Sequence, residues 1–415
     1  METFERGEFR VEKLRFGNRT ELHEKALVLD RDALSNFLRS RDNRIASCIV
    51  SIARPGDSTR IICVKDVIQP GCKLRDKVCG SGRRHVLTNL AVVSCGRIVG
   101  FQEGIIDMSG EGARYSPFSA TLNVVLDITV VPGLTPHQHE EVVRQAGHAA
   151  SDIIGETVRS AVPDRVQSFS SLQDMLFSPH LPRVAYVYMV LSQGLLHDTF
   201  VLGQKGEENT PRTIDPPMLL DNAVTSGNCV SACDKNTTYH HQNNPILLEL
   251  YRRHSRELNF CGVVLTCEPV RLAAKEKAAA RTVSLVRELR ADGVVLSKEG
   301  FGNPDADQML ISRGLERAGI KLVAISDEFA GPDGGSQSLA DSCEEADALV
   351  SVGNANERLL LPPVEQILGP VQDLSKLAGA WPHSLHEDGS LEVELQAIIG
   401  ATNELGMQSL SCREV

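Results

Sequence analysis

The chain has 415 residues, of which 42% are apolar and 23% are charged, values close to those of ordinary globular proteins. This length exceeds one ordinary hydrophobic core and predicts two or three domains. The net charge is −11 and aromatic residues make up only 4%, which argues against nucleic acid or an anionic membrane surface as a partner.

No apolar run reaches the ~18–20 residues of a membrane span, and the first residues are too charged for a signal peptide. We therefore expect a cytoplasmic protein. The eleven cysteines are expected to be thiols of a reducing compartment, because an odd number in a long chain does not suggest a disulfide framework. Five of them (Cys48, Cys63, Cys72, Cys79 and Cys95) fall near the N-terminus. We expect small apolar strand residues there, with a redox or metal role as the alternative.

Residues 1–135 are predicted to form a β-rich N-terminal domain. Apolar runs separated by Gly, Pro, Asp and Ser predict strands at 45–53, 60–68, 86–101 and 122–131. Residues 136–228 are predicted to hold a long helix that begins at Pro136, followed by the first α/β strand at 184–192. The continuous apolar pattern of that strand is typical of burial on both faces. His137 and His139 are expected on the helix surface.

In residues 229–370, helical segments alternate with short apolar strands. The strands are predicted at 261–268, 293–298, 320–328 and 347–354, each after a helix. Strict alternation predicts right-handed crossovers and a parallel sheet. The expected fold class is therefore α/β, with a β-rich N-terminal region followed by a doubly wound, mainly parallel sheet. Residues 371–415 are a C-terminal tail of uncertain structure.

Polar side chains follow several predicted strands. Lys298 and Glu299 follow one strand, Asp327 ends another, and His197 comes after the strand at 184–192. Ligands bind at the carboxyl ends of strands in open α/β sheets. These four residues are candidates for substrate binding, with Lys298 paired to a substrate carboxylate.

The segment at 221–246 is a polar loop with two cysteines and two adjacent histidines, and it allows three interpretations. In the first, Cys229, Cys233, His240 and His241 bind zinc, although their spacing matches no common zinc motif. In the second, the cysteines are buried small apolar residues. In the third, the chain cleaves itself between Asn228 and Cys229.

Self-cleavage requires a particular arrangement of atoms. Gly227 gives the backbone conformational freedom, and the thiol of Cys229 can attack the carbonyl carbon of Asn228. Elimination from the resulting thioester leaves dehydroalanine, whose imine tautomer hydrolyses to a pyruvoyl group. This ketone can condense with amines, a reactivity that the ordinary side chains lack. His240, His241 and Cys233 are candidates for the proton transfers, since histidine titrates near neutral pH.

TSGNCVSACDKN (225–236) resembles the maturation site of the pyruvoyl-bearing proprotein of component B of the glycine, sarcosine and betaine reductases. Further segments are similar to blocks of the same family: VGFQEGIIDMSGEGARYSPFSATLN (99–123), RVAYVYMVLSQGLLHDTFVLG (183–203), SKEGFGNPDADQML (297–310), ISDEFAGPDGGSQSLAD (325–341) and VGNANERLLLPP (352–363). The resemblance extends to about residue 370.

The resemblance implies a pyruvoyl cofactor derived from Cys229 and a chain split into pieces of 228 and 187 residues that stay together. It implies an oxidoreductase in which a small amine substrate loses its amine by reductive C–N cleavage. The partners it implies are a selenoprotein subunit of component B, selenoprotein A, which receives the two-carbon unit, and component C, which forms acetyl phosphate. No resident metal is expected. Two alternatives stay open: a non-catalytic scaffold that binds the selenoprotein partner, and a zinc-binding structural protein.

Overall fold

A computed structural model describes residues 3–75, 78–99, 104–192, 199–206, 210–227, 232–346, 348–370 and 374–407. The elements of the first part of the chain are β1 (Phe4–Arg10), β2 (Lys13–Phe16), β3 (Glu21–His23), β4 (Ala26–Leu29), α1 (Arg31–Arg41), β5 (Ile45–Ala53), β6 (Thr59–Ile68), β7 (Gly71–Arg75), β8 (Arg83–Thr88), β9 (Leu90–Gly96), β10 (Gly104–Asp107), β11 (Leu122–Val130), α2 (Pro136–Gly155) and β12 (Arg165–Phe169).

The elements that follow are β13 (Arg183–Val190), β14 (Thr199–Val201), β15 (Gln204–Lys205), β16 (Arg212–Ile214), α3 (Pro216–Leu220), β17 (Val224–Ser226), α4 (Thr238–Gln242), α5 (Pro245–Arg253), β18 (Asn259–Cys267), α6 (Leu272–Glu288), β19 (Gly293–Ser297), α7 (Asn303–Arg317), β20 (Lys321–Glu328), β21 (Leu349–Asn354), β22 (Arg358–Leu361), β23 (Gln366–Leu368) and β24 (Leu391–Glu394).

The N-terminal region is β-rich, as predicted. One sheet has the order β10-β6-β9-β11-β5, with β23 also paired to β6, and a second has the order β12-β1-β8-β7. Helix α2 packs on β6 and β9 and buries Val142, Val143 and Ile154 in a core formed with residues of β5, β9 and β11. It begins at a capping box in which Thr135 and Gln138 bond each other's backbone amides.

Two expectations for this region are wrong in detail. The strand predicted at 86–101 is divided at Asn89, whose φ is +60°, so that β8 and β9 belong to different sheets. A residue with left-handed backbone dihedral angles changes the direction of the chain. An apolar sequence pattern does not show where such a residue occurs. His139 is only 3% exposed because its ring lies beside Gly96, where a side chain would collide with it. His137 is exposed, as predicted.

The second large sheet confirms the predicted α/β class. Its order is β16-β18-β13-β19-β20-β21, and all neighbours are parallel except β16 with β18. Numbered along the chain, the parallel strands run 2-1-3-4-5. The winding direction changes between β13 and β19, and a crevice opens at the carboxyl ends of strands at such a point.

Strand β13 is buried on both faces, as its apolar run predicts. Tyr186 and Tyr188 face a core shared with α5, whereas Val187 and Met189 face the core that contains residues of α6 and α7. The central strand of the sheet is therefore held by packing from two sides.

The later part of the chain departs from expectation in one element. The helix predicted before the strand at 347–354 is wrong, because the described residues at 329–346 form no helix. Gly331 and Gly334 have φ of +77° and +67° there, and such glycines interrupt a helix. The tail, whose structure the sequence leaves uncertain, contains β24, which pairs with β22, and its residues Thr402–Glu404 are fully buried.

The domain limits at 135, 228 and 370 stay a prediction, and strand pairing between β6 and β23 crosses the first two. The nine described cysteines are free thiols, as expected. Within the described part of the chain, no helix combines the length and the apolar character needed to cross a membrane.

Candidate active site

The described residues on both sides of the predicted cleavage point are buried. Ser226 ends β17, which pairs with β14 so that Ser226 lies opposite Thr199. The chain is described again from Ala232, whose carbonyl accepts a hydrogen bond from the Gly400 amide at 2.8 Å. Asn228 and Cys229, like His197, lie outside the described residues, and Gly227 is buried.

Glu299 joins the residues that follow the cleavage point to the crevice of the parallel sheet. Its carboxylate accepts from the amides of Leu191 at 2.7 Å and Asn236 at 3.0 Å, and it lies 3.4 Å from the ammonium of Lys235. Lys235 also donates to the Thr199 hydroxyl at 2.5 Å. Because Leu191 follows β13 and Glu299 follows β19, the segment after the cleavage point is anchored where the winding direction changes.

A second set of bonds connects the same segment to an aromatic residue of β13. The Tyr188 hydroxyl lies 2.6 Å from Nδ1 of His241 and accepts from the Asn236 side chain at 3.1 Å. Burial raises the pKa of Tyr188 and lowers that of His241 well below 6.5. The phenol therefore keeps its proton and donates it to a neutral imidazole. Nε2 of His241 has no hydrogen-bond partner among the described atoms and lies 3.8 Å from Glu299.

His240 occupies a different environment from its neighbour. Its Nδ1 bonds Thr237 at the start of α4, and its ring packs on Phe118. Burial lowers the pKa of His240 to about 3, so this imidazole is neutral near pH 7. The predicted proton-transfer role of the two histidines stays a prediction, and only their neutral forms are available for it.

Lys298 is fully buried between three carboxylates. Its ammonium lies 3.2 Å from Asp305, 3.3 Å from Asp327 and 2.8 Å from Glu404. Burial acts to lower the pKa of Lys298, but the three acids outweigh it and raise the pKa above 10.5. Burial likewise raises the pKa of Asp327 to about 6 and that of Glu404 above its usual value. Substrate binding by Lys298, Glu299 and Asp327 stays a prediction.

The predicted zinc set is not assembled in the part of the chain that the structure describes. Only Cys233, Asp234 and Asp327 place three ligand atoms within 4.8 Å of one another there. Burial raises the pKa of Cys233 well above 9.0, so its thiol is protonated. Asp327 bonds Lys298 and Thr402.

A buried acid contacts the chain on both sides of the cleavage point through one threonine. Asp66 accepts from the Thr238 amide at 2.8 Å and from its hydroxyl at 2.6 Å. The same hydroxyl accepts from the Ser226 amide at 3.0 Å. Burial raises the pKa of Asp66 to about 7, so this carboxyl group exchanges its proton near neutral pH.

Sequence reasoning missed several of these residues. Asp66 interrupts an apolar predicted strand, and a charge there is a usable signal because charged side chains are rarely buried without a partner. Tyr188 is hidden in an apolar run. Glu404 follows no recognisable pattern, since its role depends on the tail returning to the sheet.

The chain is similar to known proteins over nearly its whole length. A family model for glycine/sarcosine/betaine reductase component B subunits matches residues 2–413. The chain is 46% identical over 424 residues to the glycine reductase complex component B subunits alpha and beta of Peptoclostridium acidaminophilum, with 98% of each chain covered. It is 44% identical to the protein of the same description from Acetoanaerobium sticklandii, again with 98% of each covered. Identity to the sarcosine reductase complex component B subunit alpha of Peptoclostridium acidaminophilum is 41%, with 99% of each covered. No solved structure matches the chain significantly.

Proposed function

This chain belongs to the family of glycine/sarcosine/betaine reductase component B subunits, and on that premise we propose that it is the self-cleaving, pyruvoyl-forming subunit of such a reductase. It takes part in reductive C–N cleavage of glycine, sarcosine or betaine. A selenoprotein partner receives the two-carbon unit, which a further component releases as acetyl phosphate. Glycine is the first substrate to test, because the glycine reductase relatives exceed the sarcosine reductase relative in identity.

The observation that carries the proposal is the Gly227-Asn228-Cys229 sequence in a chain of this family. The name of the glycine reductase relatives also supports it, since one chain that aligns over 98% of its length is named as two subunits, alpha and beta. The environment is consistent with this, because the nearest described residues, Ser226, Gly227 and Ala232, are buried, and the Asn236 amide is bonded to Glu299 after strand β19.

The proposed cleavage conserves atoms and electrons at each step. The Cys229 sulfur replaces the amide nitrogen on the Asn228 carbonyl carbon, giving a thioester and a free amine. Loss of the Cα proton and rupture of the Cβ–S bond release Asn228 as a thiocarboxylate and leave dehydroalanine at position 229. Water then replaces the nitrogen of its imine tautomer, releasing ammonia and leaving the ketone. No external oxidant or reductant is needed.

Thr238 and Asp66 are proposed to position the backbone for this reaction. The Ser226 amide donates to the Thr238 hydroxyl, which in turn donates to Asp66. This pair of bonds fixes the chain two residues before Asn228. The chain after the cleavage point is held by Lys235, which donates to Thr199. Glu299 accepts from the Leu191 amide and so ties this segment to strand β13. Restricting both flanks reduces the entropy that the attack must overcome.

In turnover, the pyruvoyl group would supply an electrophilic ketone of a kind that the ordinary side chains lack. Cys229 lies outside the described residues, and the described Gly227 borders a cavity on the first piece.

Reconstitution with the selenoprotein partners, the acetyl phosphate-forming component, inorganic phosphate and a dithiol reductant tests the proposal. We expect release of ammonia from glycine, methylamine from sarcosine or trimethylamine from betaine, with formation of acetyl phosphate. Cys229→Ala removes the leaving atom and should abolish both cleavage and turnover, whereas Cys229→Ser keeps a heteroatom and should retain slower cleavage. Cleavage without any contribution of the chain to turnover would support a non-catalytic scaffold. An unsplit chain that carries zinc would support a zinc-binding structural protein.

A further inference from the structure

Residues 398–404, here named the C-terminal strap, lie between the N-terminal sheet and the chain that follows the predicted cleavage point. All seven are buried. On one side, Ile398 bridges Ile105 of β10 in parallel register, and the Ile399 amide donates to the Ile105 carbonyl at 3.0 Å. The strap is therefore fixed to a strand of the first piece before it reaches the segment at 232–236.

On the other side, the strap bonds the backbone of that segment at two successive residues. The Gly400 amide donates to the Ala232 carbonyl at 2.8 Å, and the Thr402 amide donates to the Cys233 carbonyl at 3.1 Å. Ala232 is the first residue described after the cleavage point. Because buried backbone groups rarely stay unpaired, these bonds fix the backbone three residues beyond Cys229.

One side chain of the strap extends this contact towards β13. The Asn403 side chain donates to the side-chain oxygen of Asn236 and accepts from the Leu405 amide at 3.2 Å. The Asn236 side chain in turn donates to the Tyr188 hydroxyl at 3.1 Å. Asn403 and Asn236 are both fully buried, where an amide that loses its partner is costly. Asn403 therefore orients Asn236, whose backbone amide bonds Glu299.

The strap also requires a glycine where it passes α4. Gly400 has φ of +78°, which side chains rarely adopt. An added Cβ would lie 3.2 Å from Nε2 of His240 and 3.3 Å from Cδ of Pro117. A larger residue at this position would therefore move either the strap or the His240 ring.

We infer that the C-terminal strap is a positioning element for cleavage at Asn228–Cys229, with Gly400 and Asn403 as its positioning residues. The end of the second piece holds the beginning of the same piece in place while the bond reacts. The inference rests on the proposed function, because it concerns the reaction at that bond. Fixing the chain next to the attacking thiol lowers the entropy that the attack must overcome.

The rate of cleavage tests the inference, with newly synthesised, pulse-labelled chain followed on a denaturing gel. Gly400→Ala and Asn403→Ala should each slow the appearance of the two pieces by about 10- to 100-fold, the effect expected of a misplaced reacting group. Gly389→Ala is the control for the glycine, because Gly389 has φ of +84° and an added Cβ would lie 3.3 Å from Pro363. Asn259→Ala is the control for the asparagine, because the buried Asn259 side chain donates to two backbone carbonyls at the start of β18. Both controls should cleave at the parent rate.

Hydrogen exchange supplies a measurement that a merely structural role would not change. It is made on the Cys229→Ala chain, which stays whole, with and without each further substitution. Relative to the amides of β19, those of residues 232–238 should exchange about 10-fold faster in the strap variants, the effect of one lost hydrogen bond on local opening. The two controls should leave this ratio unchanged.

The outcomes separate this inference from the proposed function. Slow cleavage with faster local exchange in the strap variants alone supports the inference. Cleavage at the parent rate in both strap variants overturns it, as does equal slowing in the controls or slow cleavage without faster exchange at 232–238. If Gly400→Ala fails to fold, Asn403→Ala decides.

A parent that never splits refutes the proposed function, and the exchange comparison then still tests whether the strap fixes residues 232–238. A parent that splits while the strap variants split equally fast refutes only the inference.

Discussion

The backbone amide of Leu191 donates to the carboxylate of Glu299 at 2.7 Å, across 108 positions of sequence. Leu191 belongs to the piece before the predicted cleavage point and Glu299 to the piece after it. The same carboxylate bonds the Asn236 amide. One buried acid thus connects the central strand of the sheet with the chain that begins at the new terminus.

The two pieces should remain associated after cleavage. Strand β13, from the first piece, lies between β18 and β19, both from the second, so separation would expose the centre of the sheet. We expect a denaturing gel to show two bands and native size-exclusion chromatography to show one species containing both. Elution of the pieces as independent folded species without denaturant would contradict this.

Glu299→Gln should strongly destabilise the protein. The amide has one acceptor oxygen for contacts that the carboxylate makes with two, and the buried Lys235 loses its counter-charge. We expect the free energy of unfolding to fall by about 3–5 kcal/mol, measured by urea denaturation. Glu288→Gln on α6, where Glu288 contacts Arg281 with its side chain 60% exposed, should change it by less than about 0.5 kcal/mol. Equal effects in both variants would refute the role of Glu299 as the buried counter-charge of Lys235.

Lys298→Met should also be destabilising, because it leaves three buried carboxylates without a cation. A loss of about 3–5 kcal/mol is expected, and adding Glu404→Gln should recover part of it because the two residues are coupled. Urea denaturation of the single and double variants measures this. If Lys298 instead serves the substrate carboxylate, Lys298→Met would keep its stability and lose substrate affinity.

Asp66 should make stability depend on pH. Its pKa is about 7 in the folded chain and 3.8 as the reference value, so the folded state binds more protons between these limits. The free energy of unfolding therefore falls as pH rises from about 4 to 7, by roughly 1 kcal/mol per pH unit from this group. Asp66→Asn removes this contribution to the free energy of unfolding, because an amide does not titrate in this range.

The parent-minus-variant difference for Asp66→Asn should decline over that interval and become flat above about pH 8, where Asp66 is ionised in both the folded and the unfolded chain. Denaturation series across pH, with the exposed Asp32→Asn as control, measure it. A difference that rises with pH would show that Asp66 is ionised in the folded chain.

The sequence contained most of the α/β architecture, because strand burial and helix periodicity are local patterns. VAYVYMVLS shows by composition alone that β13 is buried on both faces. The sequence could not show that this strand is central, since strand order depends on long-range pairing. The sequence also does not show that the apolar run divides at Asn89 or that Glu404 returns to the sheet, because tertiary packing decides both. The chemistry of cysteine allows cleavage at Asn228–Cys229 and the family resemblance selects it from three interpretations, but both residues lie outside the described part of the chain.

Intact-mass spectrometry of the purified chain tests the central claim most directly. The account predicts two pieces of 228 and 187 residues, the second lighter than a cysteine-initiated peptide by loss of hydrogen sulfide and exchange of its terminal imine nitrogen for oxygen. A single unsplit chain, or a second piece that still begins with an intact cysteine, would contradict it.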